Sequence, residues 1–547
     1  MLRTVRLGSW VGGSRFSLLM AWEKSVEQRR ERQVDGPAGA VGRCAWLGLL
    51  LLLTSVLALS LLAQQAGPEG EVGQAPALIE LSLREAILTA LEHNLDITIE
   101  RFNPLIRQAE VLQALGEFDT TAFLTSTIGR EKSPPTIVFV GGAPQSPARM
   151  TDTFRLQLGL SRKFATGATA QLSYENVRTA NPPSPGIQNA VLGLAVTQPL
   201  LRGGGPAVNL GDVRIARNSH RASVSEFRSA VMDVIARVER AYWDLVFAHG
   251  NLKVHRRSLQ LAEDLLQSNR ERVTAGILAP SEIIRAESSV AAQQAAILDA
   301  EAAVKDAGDA LRRLINPPEV DLADDVNVLP VEEPRSDYQP LDLKWVIYQA
   351  LTHRPDLIAQ KIELESRGIQ LVVARNELLP TLDLTIYYRS KGAGRSLDTS
   401  FDRYSSFIFD DYGGAIELSL PLEQRSARGS VTKARLERQQ ALFELKNSED
   451  GIVVEVRRQL RRVETKYEQI GRFRRARQLA LDRLDDENDK LLLGTATTLD
   501  VLEAQRELTN AERDELRATV DFNIASVELR RAMGILLQDY QVQLAEP

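Results

Sequence analysis

Apolar residues between positions 227 and 266 recur at alternating spacings of four and three. Phe227, Val231, Val234, Val238, Ala241, Leu245, Ala248 and Leu252 keep the pattern, and His255, Leu259, Ala262 and Leu266 extend it. A heptad seam held this long predicts a coiled-coil helix. Running from about residue 216 to 274 at ~1.5 Å per residue, it would be roughly 85–90 Å long, deeper than an ordinary domain. Val453, Val456, Leu460, Val463, Tyr467 and Ile470 form a weaker seam later. Elsewhere the period drops to two. In "FRLQLGLS" (154–161) Phe154, Leu156, Leu158 and Leu160 alternate with Arg155, Gln157 and Ser161, and "ATGA" (165–168) marks a turn. The first half offers four candidate strands, at about 121–129, 154–164, 168–176 and 190–198. "LDLTIYY" (382–388) and "AIELSLPL" (415–422) alternate likewise. One apolar and one polar face suit a sheet standing between lipid and water. The pattern suits equally an antiparallel sheet in a soluble domain.

The chain is written twice. "LSLREAILTALEHNLDI" (81–97) aligns without a gap on "LDLKWVIYQALTHRPDL" (341–357), so that Leu81, Leu83, Ala90, Leu91, His93 and Asp96 fall on Leu341, Leu343, Ala350, Leu351, His353 and Asp356. "VTAGILAPSEIIRAESSV" (273–290) aligns on "LLLGTATTLDVLEAQREL" (491–508), with Gly276 over Gly494 and Glu282 over Asp500. The offsets are 260 and 218, so the first half carries 260 − 218 = 42 extra residues in its middle. A repeat this long is a duplicated domain-sized unit, not a solenoid period.

Glycine and proline punctuate each copy. Pro380 separates helix from strand, while Pro199 and Pro421 close strands before "LLRGGG" and "EQRSARG". Proline supplies no ladder donor and suits these joints. Gly276 and Gly494 tolerate the left-handed conformation that ends a helix. Asp500 then falls in the first turn of a return helix, where a carboxylate faces the positive helix end. The earlier return helix, 282–315, is rich in alanine (Ala291, Ala292, Ala295, Ala296), which lets neighbouring helices approach closely.

Composition narrows the class. The 547 residues carry a net charge of −6, with no general basic character, so nucleic acid is not an expected partner. Arginines crowd residues 1–43, and "AWLGLLLLLTSVLALSLLAQQ" (45–65) follows. This reads as an export signal with a long basic region, cleaved after Ala63, with Met20 as an alternative start. An uncleaved anchor is the other reading. Cys44, the single cysteine, precedes the apolar run, which argues against a lipid anchor there. Cleavage would leave no cysteine for a disulfide, a thiol catalyst or a metal site. No later run of about 20 apolar residues exists, so any later crossing must use β-strands.

The "LSLREAILTAL" opening, the strands ending at "TQPLLRGGG", the heptad helices and the paired turns together resemble the TolC-like outer-membrane efflux proteins, over residues from about 80 to 535. The resemblance implies an α+β membrane protein: a duplicated unit whose homotrimer closes a transmembrane β-barrel in outer-membrane lipid, continued by a long periplasmic α-helical barrel of coiled-coil hairpins. It implies an exit duct for efflux or type I secretion, opened by a periplasmic adaptor (membrane fusion) protein and an inner-membrane efflux pump or ABC transporter. The expected divisions are a signal peptide over 1–63, short helices over 64–118, strands over 119–200, a long helical hairpin over 201–316 and a linker over 317–340. The second copy follows with short helices over 341–380, strands over 381–422, a long hairpin over 423–535 and a tail over 536–547. A membrane-anchored periplasmic coiled-coil adaptor is the alternative, but adaptors usually carry one hairpin, and the duplication argues against it.

Site residues follow from the same resemblance. Gly276, Ile277, Leu278, Gly494, Thr495 and Ala496 become adaptor-facing turns, and Pro199, Pro380 and Pro421 barrel joints. Asp500 and Glu503 match acidic residues that line the family's narrowest point. Being three apart they share a helix face, and a symmetric ring of carboxylates suits a cation-selective constriction. Such carboxylates would titrate near or somewhat above pH 4. Read from residues alone, they fit equally a helix N-terminus compensating its dipole. Two departures stand out: the family's closed state can use a tyrosine and an arginine where this chain has Leu491 and Ala496. The first half also offers four strands where the family needs two, so the extra hairpin would either enlarge the barrel or form a separate flap. No catalytic motif is present. His93 and His353 sit at equivalent helix ends, His255 on the seam, and His220 and His249 on long helices, none with metal-site spacing. Neither an enzyme activity nor a cofactor or metal is expected.

Overall fold

A computed structural model describes residues 77–134, 138–140, 143–145, 149–181, 186–318, 323–324 and 326–542. The expected export signal, 1–63, lies outside them. The first copy runs β1 (Ala77–Leu81), α1 (Leu83–His93), α2 (Leu95–Leu115), β2 (Thr121–Ser133), β3 (Arg149–Lys163), β4 (Thr169–Ala180), β5 (Ile187–Pro199), α3 (Gly211–Thr274) and α4 (Ser281–Ile315). The second runs β6 (Val326–Pro330), α5 (Leu343–His353), α6 (Pro355–Asn376), β7 (Thr381–Gly394), α7 (Leu397–Ser405), β8 (Asp410–Ser419), α8 (Arg425–Leu492) and α9 (Thr498–Met533), followed by a short α10 (Leu536–Asp539).

The duplication is visible in the caps. Helices α1 and α5 have 11 residues each and occupy equivalent positions, Leu83–His93 and Leu343–His353. Ser82 and Glu85 form a reciprocal capping box on α1, and the Asp342 side chain caps α5. Each helix breaks for one residue and restarts, α2 on the Asn94 side chain and α6 on Pro355 at its first position.

Six strands form one antiparallel sheet in the order β8-β7-β5-β4-β3-β2. Register places Leu124 opposite Leu158, Leu158 opposite Tyr174 and Tyr174 opposite Leu192. The next row runs Leu160, Leu172, Leu194, Tyr388 and Tyr412. One face is therefore apolar along these rows, giving way to Arg130, Asp152, Asn176 and Arg178 toward the far end of the strands, and the other carries Gln157, Ser173, Glu175 and Arg389. Two residues per repeat on each strand make this alternation, and pairing preserves it. Strand β2 starts 260 residues before β7, at Thr121 and Thr381, so the extra residues of the first copy lie beyond this point and supply the β3–β4 hairpin. That hairpin sits inside the sheet and is not a separate flap.

Below the sheet the long helices take over. Helix α3 has 64 residues and α8 has 68, hence lengths of roughly 95–100 Å at ~1.5 Å per residue. Among the described residues no helix is long and apolar enough to cross a membrane. The seam residues Phe227, Val231, Val234, Val238, Leu245, Ala248 and Leu252 are buried. Near the sheet, α2 packs on α3, α3 on α6 and α6 on α8; further along, α4 packs on α3, α3 on α9 and α9 on α8. Each level is thus a curtain four helices wide.

Two stretches differ from expectation. The segment 317–340, read as a linker, contains β6, which pairs in parallel with β1. Five residues are too few for alternation to announce a strand. Tyr242 fixes the pair to α3: its hydroxyl donates to the Leu81 carbonyl (3.2 Å) and accepts from the Glu332 amide (3.1 Å). The segment 536–547, read as a tail, begins with α10, whose Leu536 is buried against Met232 and Val527.

Candidate functional site

The two helix reversals lie side by side. Gly276 has φ +74° and Gly494 φ +75°, the left-handed geometry that glycine adopts without a Cβ penalty. The Ile277 amide donates back to Arg272 O (2.8 Å), and the Thr495 amide to Lys490 O (2.9 Å), closing each helix end. Ile277 is exposed, and Leu278 and Ala496 complete the turns. Two contacts join them, and a third closes the first hairpin on itself. Arg272 Nη1 donates to the Leu491 carbonyl (2.9 Å), and Asn269 Nδ2 donates to Thr498 Oγ1 (3.2 Å) and more weakly to Glu282 O (3.4 Å). Leu491 itself is buried among Val501, Leu502 and Leu508, so it serves the core of the tip.

The two turns are built differently. Return helix α9 opens with a capping box: Asp500 Oδ2 accepts from the Thr497 amide (2.8 Å) and hydroxyl (2.7 Å). Helix α4 follows Pro280 and has no side-chain cap. The Thr497 hydroxyl, then its amide, hold the Asp500 carboxyl below its ordinary 3.8, with Lys490 and Arg483 adding smaller support. Asp500 is therefore ionised further into acid than the sequence suggests. Glu503, one turn on, is exposed and has no ion-pair partner among the described residues. Asp500 caps its helix, and Glu503 is a solvent-facing charge beside it.

At the other end, Pro199 is the last residue of β5 and Pro380 immediately precedes β7. The Arg202 amide donates to Pro380 O (3.2 Å). Asn376 spans the joint, accepting from the Gly203 amide (2.7 Å) and donating to Leu201 O (3.2 Å). Pro421 lies two residues beyond β8, where Gln424 takes a left-handed φ of 48° and its side chain donates to Leu378 O (3.2 Å). Each proline stands where strand becomes helix or helix becomes strand.

A buried ionic cluster between α3 and α9 was not legible beforehand. Glu239 is fully buried, and Oε2 accepts from Arg530 Nη2 (2.9 Å). Burial raises the Glu239 carboxyl despite Arg530 beside it. Burial opposes the Arg530 charge most strongly, but Glu239, Tyr540 and Asp539 together outweigh it, so its own value rises. Arg530 also lies 3.7 Å from Asp539 of α10, tying the C-terminal segment to the helices. A glutamate inside a heptad pattern was the available signal. Four of the five histidines bond backbone or amide groups: His220 with Pro104 O, His249 with Val328 O, His255 with Gln293 and His353 with Gln349 O, while His93 lies 3.8 Å from the Glu92 carboxylate. Among the described residues no group of His, Cys, Asp and Glu is placed to hold a metal.

The fold is thus an amphipathic six-stranded sheet continued by two long helical hairpins. The model of the outer membrane efflux protein family matches residues 165–317 and 346–535. The chain belongs to this family, and it is a protein of the outer membrane. It is 23% identical over 324 residues to the outer membrane protein TolC of Vibrio cholerae, covering 59% of this chain and 72% of that one. It is 25% identical over 329 residues to the pyoverdine export outer membrane protein OpmQ of Pseudomonas aeruginosa, covering 59% and 65%. The fold is similar to solved CusC, described in connection with transmembrane channel formation, at TM-score 0.62 and 14% identity over 85% of this chain and 95% of that one.

Proposed function

We propose that the protein is the outer-membrane exit duct of an efflux or type I secretion assembly. Three copies close one tube, and a periplasmic adaptor with an inner-membrane pump or ABC transporter opens it. The carrying observation is that each level of the protomer ends in two unlike free edges. The sheet ends in β2 and β8, the upper helix curtain in α2 and α8, the lower in α4 and α8. First-half elements form one side and second-half elements the other, so identical copies meet head to tail and close by rotation. A sheet edge cannot face lipid, which makes closure obligatory in a membrane.

The edges carry exposed apolar residues suited to a second copy. On α2, Leu95, Ile99, Phe102 and Ile106 follow four-three-four spacing, with Phe102 57% exposed. On α8, Leu436, Phe443 and Val454 share a face, with Phe443 74% exposed. Burying Ile99 and Phe102 on assembly would contribute about 2 kcal/mol each. The duct needs no reaction or cofactor of its own, because the partner pump supplies the energy. The paired turns Gly276–Leu278 and Gly494–Ala496 form the adaptor-facing mouth, and Asp500 and Glu503, repeated by symmetry, line its constriction.

Cysteine labelling tests this placement. A cysteine at Thr495 is expected to crosslink to an adaptor and to react with impermeant reagents only from the periplasm. Labelling of intact cells from outside would contradict it.

A further inference from the structure

We infer that the membrane wall of the assembled duct has eighteen strands, six per copy, and is as wide as the helical tunnel beneath it. This rests on the trimeric duct proposed above and adds the bore of its membrane wall. The resemblance alone implies two strands per half.

The inserted β3–β4 hairpin is built as wall. Its ladders are continuous on both sides, from Thr121↔Ser161 to Ser133↔Arg149 with β2 and from Thr169↔Thr197 to Thr179↔Ile187 with β5. Its apolar side chains continue the rows of its neighbours: Phe154 faces Ile128, Leu158 faces Leu124, and Leu172 faces Leu194. A flap outside the wall would need no such face. Its other face is polar, with Arg155 paired to Glu175 at 3.3 Å, as a water-filled lumen requires.

Its turn is locked into the barrel joint. The Gly205 amide donates to Thr166 O (2.9 Å), and Gln198 Nε2 donates to the same carbonyl (3.1 Å). Gly167, at φ +88°, packs so closely that a Cβ there would lie 2.3 Å from Gly203 O. The hairpin is thus fastened where strand passes to helix, at the level where wall and tunnel must match.

Circumference explains what the insertion does. Six strands at ~4.8 Å spacing and ~40° tilt span about 38 Å of arc. Four helices abreast at about 9.5 Å span about 38 Å as well. Four strands would span only about 25 Å at the same tilt. With six, sheet and helix curtain meet flush in each copy. Three copies then give a wall about 110 Å around and about 36 Å across between backbones, where twelve strands give about 24 Å.

Electron cryomicroscopy of the full-length protein in lipid nanodiscs tests this by counting copies and strands in one map. Three copies with eighteen strands, and a barrel about as wide as the adjoining helical ring, is the expected result. Three copies with twelve wall strands and residues 149–180 folded outside would overturn the inference while leaving the duct intact. Any other copy number would overturn the duct reading, and the count with it.

Discussion

Arg272 donates a hydrogen bond to the backbone carbonyl of Leu491 across the two helix reversals, at 2.9 Å. The bond joins the first-copy turn to the second-copy turn. Since Leu491 is buried and Arg272 reaches its backbone, the tip is held within the protomer by a contact that no side chain at 491 needs to make. Arg272→Ala should loosen the mouth and raise closed-state conductance several-fold in planar bilayers. Unchanged conductance would show that this contact does not restrain the mouth.

Asp500→Asn combined with Glu503→Gln should weaken cation selectivity and divalent-cation block without preventing assembly. Wild-type selectivity in the double variant would place the constriction elsewhere and leave Asp500 as a helix cap only. The pH dependence has a definite sign. The folded-state value of Asp500 lies below the ordinary 3.8, so its capping contribution is complete above that value. It is lost as pH falls through the lower folded value. Asp500→Asn should therefore flatten any change in mouth conductance seen below pH 3.8.

Glycines with similar φ should differ in cost. Gly494 has open space around a would-be Cβ, whereas at Gly534 (φ +74°) that atom would lie 3.0 Å from the Arg354 backbone. Gly494→Ala carries left-handed strain alone, about 1–2 kcal/mol. Gly534→Ala adds backbone overlap and should cost about 3 kcal/mol or more. Thermal unfolding followed by circular dichroism should rank the Gly534 variant well below the Gly494 variant; equal melting temperatures would contradict the packing at 534.

Phe102→Asp should prevent assembly while preserving helix content. The ring is exposed in one copy, so the protomer loses no core contact, but a buried unpaired carboxylate at the α2–α8 seam would be costly. Size-exclusion chromatography should shift to the single chain. An unchanged elution volume would remove α2 from the interface.

Much of this architecture is written in the sequence, because period and punctuation are local. The seam from Phe227 to Leu252 announces α3, and the matched openings at Leu83 and Leu343 announce the repeat. The alternation at 154–160 separates the two faces of β3. What escaped detection depends on partners far apart in the chain. Pairing of Ala77–Leu81 with Val326–Pro330 joins short segments about 250 residues distant, and Glu239 meets Arg530 across 291. The tip shows both situations. Gly494 and Asp500 stand out as a turn and a first-turn carboxylate, while Asn269 and Arg272 look like ordinary polar positions on a long helix until the second hairpin lies beside them.

The central claim is that this chain is one third of a closed tube. Multi-angle light scattering of the detergent-purified full-length protein, corrected for bound detergent, measures this directly. The account predicts a polypeptide mass of three chains. A homogeneous single-chain mass, in a preparation whose circular dichroism shows the native helix content, would contradict it.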